Sequence, residues 1–244
     1  LRGYIYQIYQ SLNAWIGLKE NEVLLLEVAE DFAILAKNAI KGVQVKETAA
    51  SGSVTLKSDS VIETIKSLWK FQRDNPDKYV SITYLTTSEI GKEKKLPFPD
   101  NRKGLIYWEI AAREGTDIEP IRQVLSDIDF PADLTNFINT STPVEFRERI
   151  LRKINWACGA KNINQLKQVI LDRLVCVGSN FNFTPTDSEK AHDSFVVEIL
   201  NKIVQEENRQ LSRAEFLRVF EKSVSMSLPA SAVRDLISNQ LFSG

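Results

Sequence analysis

The chain has 244 residues, 43% hydrophobic and 26% charged, with a formal net charge of −1. Such values fit a soluble globular protein with room for one large domain or two small ones, and the near-neutral balance argues against a strongly basic nucleic-acid coat. The single histidine, His192, rules out histidine-rich zinc sites and disfavours Cys/His or Ser/His nucleophiles, so any catalysis has to rest on carboxylates and lysines.

Along the chain, residues 3–16 read as a helix, with Tyr4, Ile8, Leu12 and Trp15 on one apolar stripe. Residues 23–28 form an apolar run expected to be a buried strand, 32–36 a second strand, 38–42 a turn, and 43–47 a third strand. Residues 49–53 read as a loop of small residues. Asp59 or Ser60 is placed to cap a helix reaching about Gln72, with Val61, Ile65, Leu68 and Trp69 on one side, and Asn75-Pro76-Asp77 ends it. The alternating, β-branched run 79–85 reads as a further strand, and the polar run 86–103 as an exposed loop.

Beyond Gly104 the character changes. Runs at 105–114, 119–127, 132–138, 143–158, 164–177, 188–208, 213–224 and 231–240 all read as helices. Thr142-Pro143 and Thr184-Pro185-Thr186-Asp187 have the form of helix starts. The expected fold is therefore α/β. A small mixed sheet flanked by helices occupies residues 1–104. An all-helical part, 105–244, packs on it or mediates oligomerisation. Cys158 and Cys176 fall in helical segments and are expected to be free thiols in a reducing compartment. No apolar run approaches the ~18 residues of a membrane span. No basic-then-apolar leader opens the chain, and a first residue other than Met leads us to expect residues before Leu1.

One constellation carries chemistry. Glu27, Glu30 and Asp31 lie at the end of one expected strand and the start of the next, and Gln44 and Lys46 share a face of the third. The spacing lets Asp31, Gln44 and Lys46 converge at one end of a small sheet. Metal-dependent phosphodiester hydrolysis uses such a set: a carboxylate holds Mg²⁺ (or Mn²⁺), the metal polarises phosphate and activates water, and a lysine stabilises charge.

These residues resemble a known family. Gly3-Tyr4-Ile5-Tyr6-Gln7 on a helix, the acids of 27–31 and the Gln44-Val45-Lys46 strand are similar to the PD-(D/E)xK nuclease superfamily, in its Mrr-like branch. The nearest likeness within it is to the double-stranded-DNA endonuclease domains that are associated with CD-NTases or stand at the N-terminus of antiviral STAND NTPases. The likeness covers about residues 2–90. It departs from the superfamily pattern in having Gln44 for the second acid and Glu30 where a proline is usual. The resemblance implies a restriction-endonuclease-like core over 1–104 and an endonuclease that hydrolyses double-stranded DNA with low sequence specificity. The setting it implies is a bacterial anti-phage effector in the cytoplasm. Asp31, Gln44 and Lys46 would be catalytic, Asp31 and Gln44 with Glu27 and Glu30 would hold metal, and Gln7 would contribute from the helix. Homo-oligomerisation and further sensor or NTPase domains are implied partners, with no membrane.

Bland readings stand beside these. Gln44 and Lys46 also suit a solvated strand face, and Glu27 a strand-end charge. Lys92, Lys94, Lys95, Arg102 and Lys103 form a basic loop that is either solvated or a contact for DNA phosphates. Ser51, Ser53, Thr55 and Lys57 are an ordinary loop or a substrate contact. The four tryptophans read as core, and His192 as structural or exposed. The alternative function is a catalytically weak or inactive nuclease-like module used for assembly or nucleic-acid binding; a ribonuclease of the same superfamily is a third reading.

Overall fold

In chain order the computed structural model contains α1 (Arg2–Ile16), β1 (Val23–Val28), β2 (Glu30–Ala36), β3 (Ala39–Lys46), β4 (Ser53–Val54), α2 (Asp59–Asp74), β5 (Tyr79–Thr86) and β6 (Glu89–Ile90). There follow α3 (Gly104–Glu114), α4 (Glu119–Ser126), α5 (Ala132–Thr140), α6 (Pro143–Arg149), β7 (Ile154–Ala157), α7 (Ile163–Gly178), α8 (Pro185–Val204), β8 (Gln210–Ser212) and α9 (Arg213–Ser225). The described residues are 1–225 without 29, 48–51, 95–97, 116, 180–182 and 206–207, so the helix expected over 231–240 and most of the loop 49–53 lie outside them.

The chain is a mixed α/β structure. β1, β2 and β3 form an antiparallel meander, β5 and β7 extend it in parallel, and β8 pairs antiparallel with β1. The strand order is β7-β5-β3-β2-β1-β8, and β4 and β6 form a separate small parallel pair. The turn between β2 and β3 is tighter than expected, at Lys37-Asn38. β3 consequently begins at Ala39, and Gly42 lies within it opposite Ala33.

Two apolar layers sandwich the sheet, sorted by the alternation of strand side chains. Ala33 and Leu35 on β2, Ile40 on β3, and Val80, Ile82 and Tyr84 on β5 face α2 to α6. Phe32 and Ile34, Val43 and Val45, and Leu85 face α1, α7, α8 and α9. Trp15 is fully buried against Phe195 and Phe216, with ring centroids 5.2 and 5.9 Å away, and its indole N–H donates to the Ser212 carbonyl at 2.8 Å. Trp108 and Trp156 meet edge to face at 5.3 Å in the other layer. Truncating an aromatic side chain packed in this way costs about 3–5 kcal/mol. Trp15, Trp108 and Trp156 are core, as expected; Trp69 is only partly buried.

The part beyond residue 104 is mostly helical, and it also supplies both outer strands. The run 143–158, expected to be one helix, divides. α6 ends at Arg149, Leu151–Lys153 form a single 3-10 turn, and β7 follows. Ile154 and Trp156 are buried and Asn155 exposed, a period of two that docks on the free edge of β5. The expected helix starts hold: Thr142 and Thr184 close capping boxes with Glu145 and Asp187, and Asn162 does the same with Gln165. Residues 86–103 are more than an exposed loop. Buried Glu93 accepts hydrogen bonds from Leu56 N (3.2 Å) and Gly104 N (2.8 Å), tying the segment to its surroundings. Among the described residues no helix is long and apolar enough to cross a membrane.

Candidate functional site

The carboxyl ends of β3 and β5 and the amino end of β2 meet at one edge of the sheet, where α1 crosses with its first turns. Asp31 is the centre of this edge. Its Oδ1 accepts from Gln7 Nε2 at 2.7 Å, and its Oδ2 accepts from the backbone N–H of Val45. The carboxylate thus satisfies a β3 donor just past the end of the β2–β3 ladder, where Phe32 lies opposite Val43, and pins α1 to both strands. Burial pushes the Asp31 carboxyl up; the Val45 hydrogen bond, the charge of Lys46 and Gln7 pull it back, while Glu27 adds to the rise.

Glu27 is also held. It has φ of +50°, a left-handed backbone that disfavours a side chain. Arg209 fixes it from the far end of the sequence, its Nη1 lying 3.4 Å from the Glu27 carbonyl and 3.5 Å from Oε2. Burial and the Glu27 carboxylate push the Tyr4 hydroxyl up. The side chain of Glu30 lies outside the described set. Glu47, just past β3, is a buried carboxylate paired with exposed Arg2 at 2.7 Å. Tyr6 donates to the Lys161 carbonyl at 2.8 Å and accepts from Gln10 at 2.9 Å. Sequence reasoning missed Arg2, Glu47 and Arg209; Arg209 lies too far along the chain for any local spacing to signal it.

Gln44 does not join Asp31. It points to the opposite layer, where its Oε1 accepts from the Thr64 hydroxyl on α2. This follows from β3 itself: Val43 and Val45 fill the α1 layer, so alternation sends Gln44 the other way. Lys46 is half-buried and within electrostatic reach of Asp31, and among the described residues it makes no ion pair. The structure therefore brings together Gln7 and Asp31, with Lys46 and Glu27 near, and leaves Gln44 out.

The basic loop is dispersed. Lys92, Lys94 and Lys103 are exposed, Arg102 pairs with Asp100 at 3.2 Å, and Lys95 lies outside the described residues, as does Ser51. Ser53 pairs with Glu89 in the small sheet, Thr55 N donates to Ser58 Oγ, and Lys57 pairs with Asp127. Cys158 follows β7 rather than lying in a helix, and Cys176 is exposed on α7; both are free. Burial, with Glu109 and Glu89, pushes the Cys158 thiol up to about 11, so it stays protonated and unreactive at neutral pH.

As arranged, these residues do not fit Mg²⁺ or Mn²⁺. A hard cation takes six or more oxygen ligands and leans on clustered carboxylates. Here both oxygens of Asp31 serve Gln7 and Val45, Gln44 Oε1 faces Thr64, and Glu27 is engaged by Arg209. Among the described residues no three His, Cys, Asp or Glu side chains group as metal ligands.

No family model matches the sequence, and no curated protein matches it. Solved structures do. A Moraxella osloensis Cap4 SAVED/CARF-domain containing receptor is similar over 92% of this chain and 48% of its own, with a TM-score of 0.51 and 11% identity. An Acinetobacter baumannii Cap4 SAVED/CARF-domain containing receptor, with the cyclic trinucleotide 2'3'3'-cAAA, is similar over 91% and 44%, with a TM-score of 0.51 and 13% identity. The same receptor with 3'3'3'-cAAA gives a TM-score of 0.50 at 14% identity. This likeness is one of fold, and the chain spans less than half the length of each of these neighbours. It overturns the assignment to the PD-(D/E)xK superfamily drawn from the Gly3–Gln7 helix, the acids of 27–31 and the Gln44-Val45-Lys46 strand together, because the matching structures are receptors with SAVED/CARF domains. The reading as an endonuclease of double-stranded DNA is corrected with it.

Proposed function

We propose that this chain is a binding and assembly module of a longer receptor-type protein, working in the bacterial cytoplasm in anti-phage defence. Its ligand is a phosphate-bearing oligonucleotide, held and not hydrolysed. The likeness to receptors solved with cyclic trinucleotides supports the ligand class, and the share of those chains that is matched supports further domains in the same protein.

The observation that carries the reading is the division of labour at the sheet edge. Asp31 is engaged in joining α1, β2 and β3. Lys46, next to it, makes no ion pair among the described residues. That leaves a cation for phosphate at the carboxyl ends of parallel strands, where open sheets bind ligands, and, among the described residues, no group of acids placed to hold a metal. Lys46 would hold a phosphate oxygen as a point charge; Asp31 and Gln7 would set the position of the strand end that carries it.

Calorimetric titration with cyclic triadenylate tests this, beside light scattering to read assembly and a supercoiled-plasmid assay with Mg²⁺. The expected result is saturable binding weakened about tenfold or more in Lys46→Ala, with intact plasmid. Mg²⁺-dependent cutting that Lys46→Ala abolishes would overturn the proposal.

A further inference from the structure

The opposite end of the same sheet carries a cleft of about 480 Å³ at the start of β5, between the last turns of α2 and the segment joining α6 to β7. A second recess of about 470 Å³ adjoins it, sharing Tyr79 and Lys153. Both volumes lie in the range of small-ligand sites, about 300–1,000 Å³. Since β3 runs from Ala39, beside Tyr79, to Lys46, the cleft is roughly 20 Å from the Lys46 edge at strand rise.

Its lining pairs cations with rings. The guanidinium of Arg149 lies 4.7 Å from the ring centroid of Trp69 and 4.8 Å from that of Phe137. The ammonium of Lys153 lies 3.5 Å from the ring centroid of Tyr79, and Tyr79 remains 51% exposed. Lys78 is exposed beside them.

The acids around the cleft are largely committed elsewhere. Asp133 accepts from Trp69 Nε1 at 2.8 Å and from Arg73 at 3.2 Å. Asp74 sits 4.0 Å from Arg73, and Glu145 senses Arg149 only electrostatically. Among the described residues Lys78, Arg149 and Lys153 make no ion pair. Ring contacts cover the face of a guanidinium and leave its N–H edge available, and that edge matches phosphate oxygens. The Arg149 backbone carbonyl, accepting from Gln72 at 2.7 Å, fixes where that side chain starts.

We propose that this cleft is a second binding site, separate from the Lys46 edge, and that it takes a single-stranded oligonucleotide, linear or cyclic. Arg149, Lys153 and Lys78 contact phosphates, and a base lies on the exposed part of Tyr79. Alternating phosphate cations and an aromatic platform are what single-stranded nucleic acid requires, and a duplex, with its bases stacked inside, makes no use of the ring.

Fluorescence anisotropy with three labelled probes tests the site: an oligothymidylate of about ten nucleotides, its uridylate counterpart, and cyclic triadenylate. The proteins are the wild type, Arg149→Glu/Lys153→Glu, Tyr79→Ala, Tyr79→Phe and Lys46→Ala, each checked by its melting curve. Binding of at least one probe is expected, and which one separates linear from cyclic ligands. The charge-reversal pair should weaken it more than tenfold and flatten its salt dependence by about 0.7 per lost phosphate contact. Tyr79→Ala should weaken it about tenfold, with Tyr79→Phe near wild type. Absence of binding to every probe would overturn the cleft. So would binding that only Lys46→Ala abolishes, an outcome that leaves the sheet-edge site standing.

Discussion

The two ends of the central sheet use charge in opposite ways. At the Lys46 end acids are consumed internally: Asp31 by Gln7 and Val45, Glu27 by Arg209, Glu47 by Arg2. At the Tyr79 end the cations Lys78, Arg149 and Lys153 stand over rings or in solvent and make no ion pair among the described residues. A buried carboxylate with several donors is a fastener, because its desolvation has to be offset by hydrogen bonds that hold elements together. An exposed cation above a ring gains only about 0.5–1 kcal/mol from that contact and keeps its N–H donors for a ligand. The contrast predicts that stability resides in the acids and binding in the bases.

The largest effect should come from Asp31→Ala, which strands the Gln7 amide and the Val45 N–H together. Hydrogen bonds to a charged group contribute about 1.5–3 kcal/mol each when buried; Asp31 is only part-buried, so we expect about 2–3 kcal/mol in all, read by urea denaturation. The sign of its pH dependence follows from the raised carboxyl. A raised folded-state value means a contribution that is full in acid and declines as pH rises through that value, so the deficit of the variant should shrink toward alkaline pH. Wild-type stability in Asp31→Ala would dissolve the contrast between the two ends.

Part of this edge was legible in the sequence and part was not. The helix over 3–16, the strand runs near 23–28, 32–36 and 79–85, and the helix from Asp59 all carry strong periodicity and appear where expected. The hydrogen bond from Gln7 to Asp31 is a contact that the sequence did not specify; it offered Gln7 only as a contributor from the helix or as a surface residue. β7 was hidden because a strand of only four residues, Ile154–Ala157, sits in a run of mixed apolar and charged residues without glycine or proline between Pro143 and Gly159, which reads as one continuous amphipathic helix. β8 was hidden because three residues carry no period at all. Gln44 was misplaced by counting residues: thirteen positions bring it near Asp31 along the strand, but the α1 layer claims Val43 and Val45, so Gln44 goes to Thr64. Of the cleft cations, Arg149 and Lys153 stand four positions apart at the end of α6 and the turn after it, while Lys78 comes from just before the distant β5, so no single local motif joins all three.

A smaller effect should follow from Thr64→Val, which keeps the shape of α2 and removes the donor to Gln44. Leaving one neutral acceptor without its partner costs about 1 kcal/mol, again by denaturation. An unchanged midpoint would mean that water replaces the hydroxyl and that this bond does not hold β3 to α2.

His192 offers a pH test away from both ends. It is 2% exposed on α8, edge-on to Tyr9 at 5.0 Å, and its Nε2 has no hydrogen-bond partner among the described residues. Burial and, to a lesser degree, Lys167 hold its pKa below the ordinary value of 6.5; Asp193 and Glu189 oppose this. A depressed value means stability present above the unfolded value and lost as pH falls through the folded one. The melting temperature should therefore drop by a few degrees below about pH 6.5, and His192→Gln should flatten that slope. A slope unchanged by the substitution would assign the acid sensitivity to other groups.

The smallest expected effect is that of divalent metal, and it is the sharpest comparison of all. If Asp31 is a fastener, adding millimolar Mg²⁺ or Mn²⁺ leaves the melting temperature within about a degree, since a ligand stabilises only in proportion to its occupancy of the folded state. If Asp31 is instead a metal ligand at rest, the cation must displace Gln7 or the Val45 N–H, and occupancy would show as a rise of several degrees that Asp31→Ala removes. Such a rise would mean that the hydrogen bonds at Asp31 yield to a cation, and that this carboxylate is a binding group and not only a fastener.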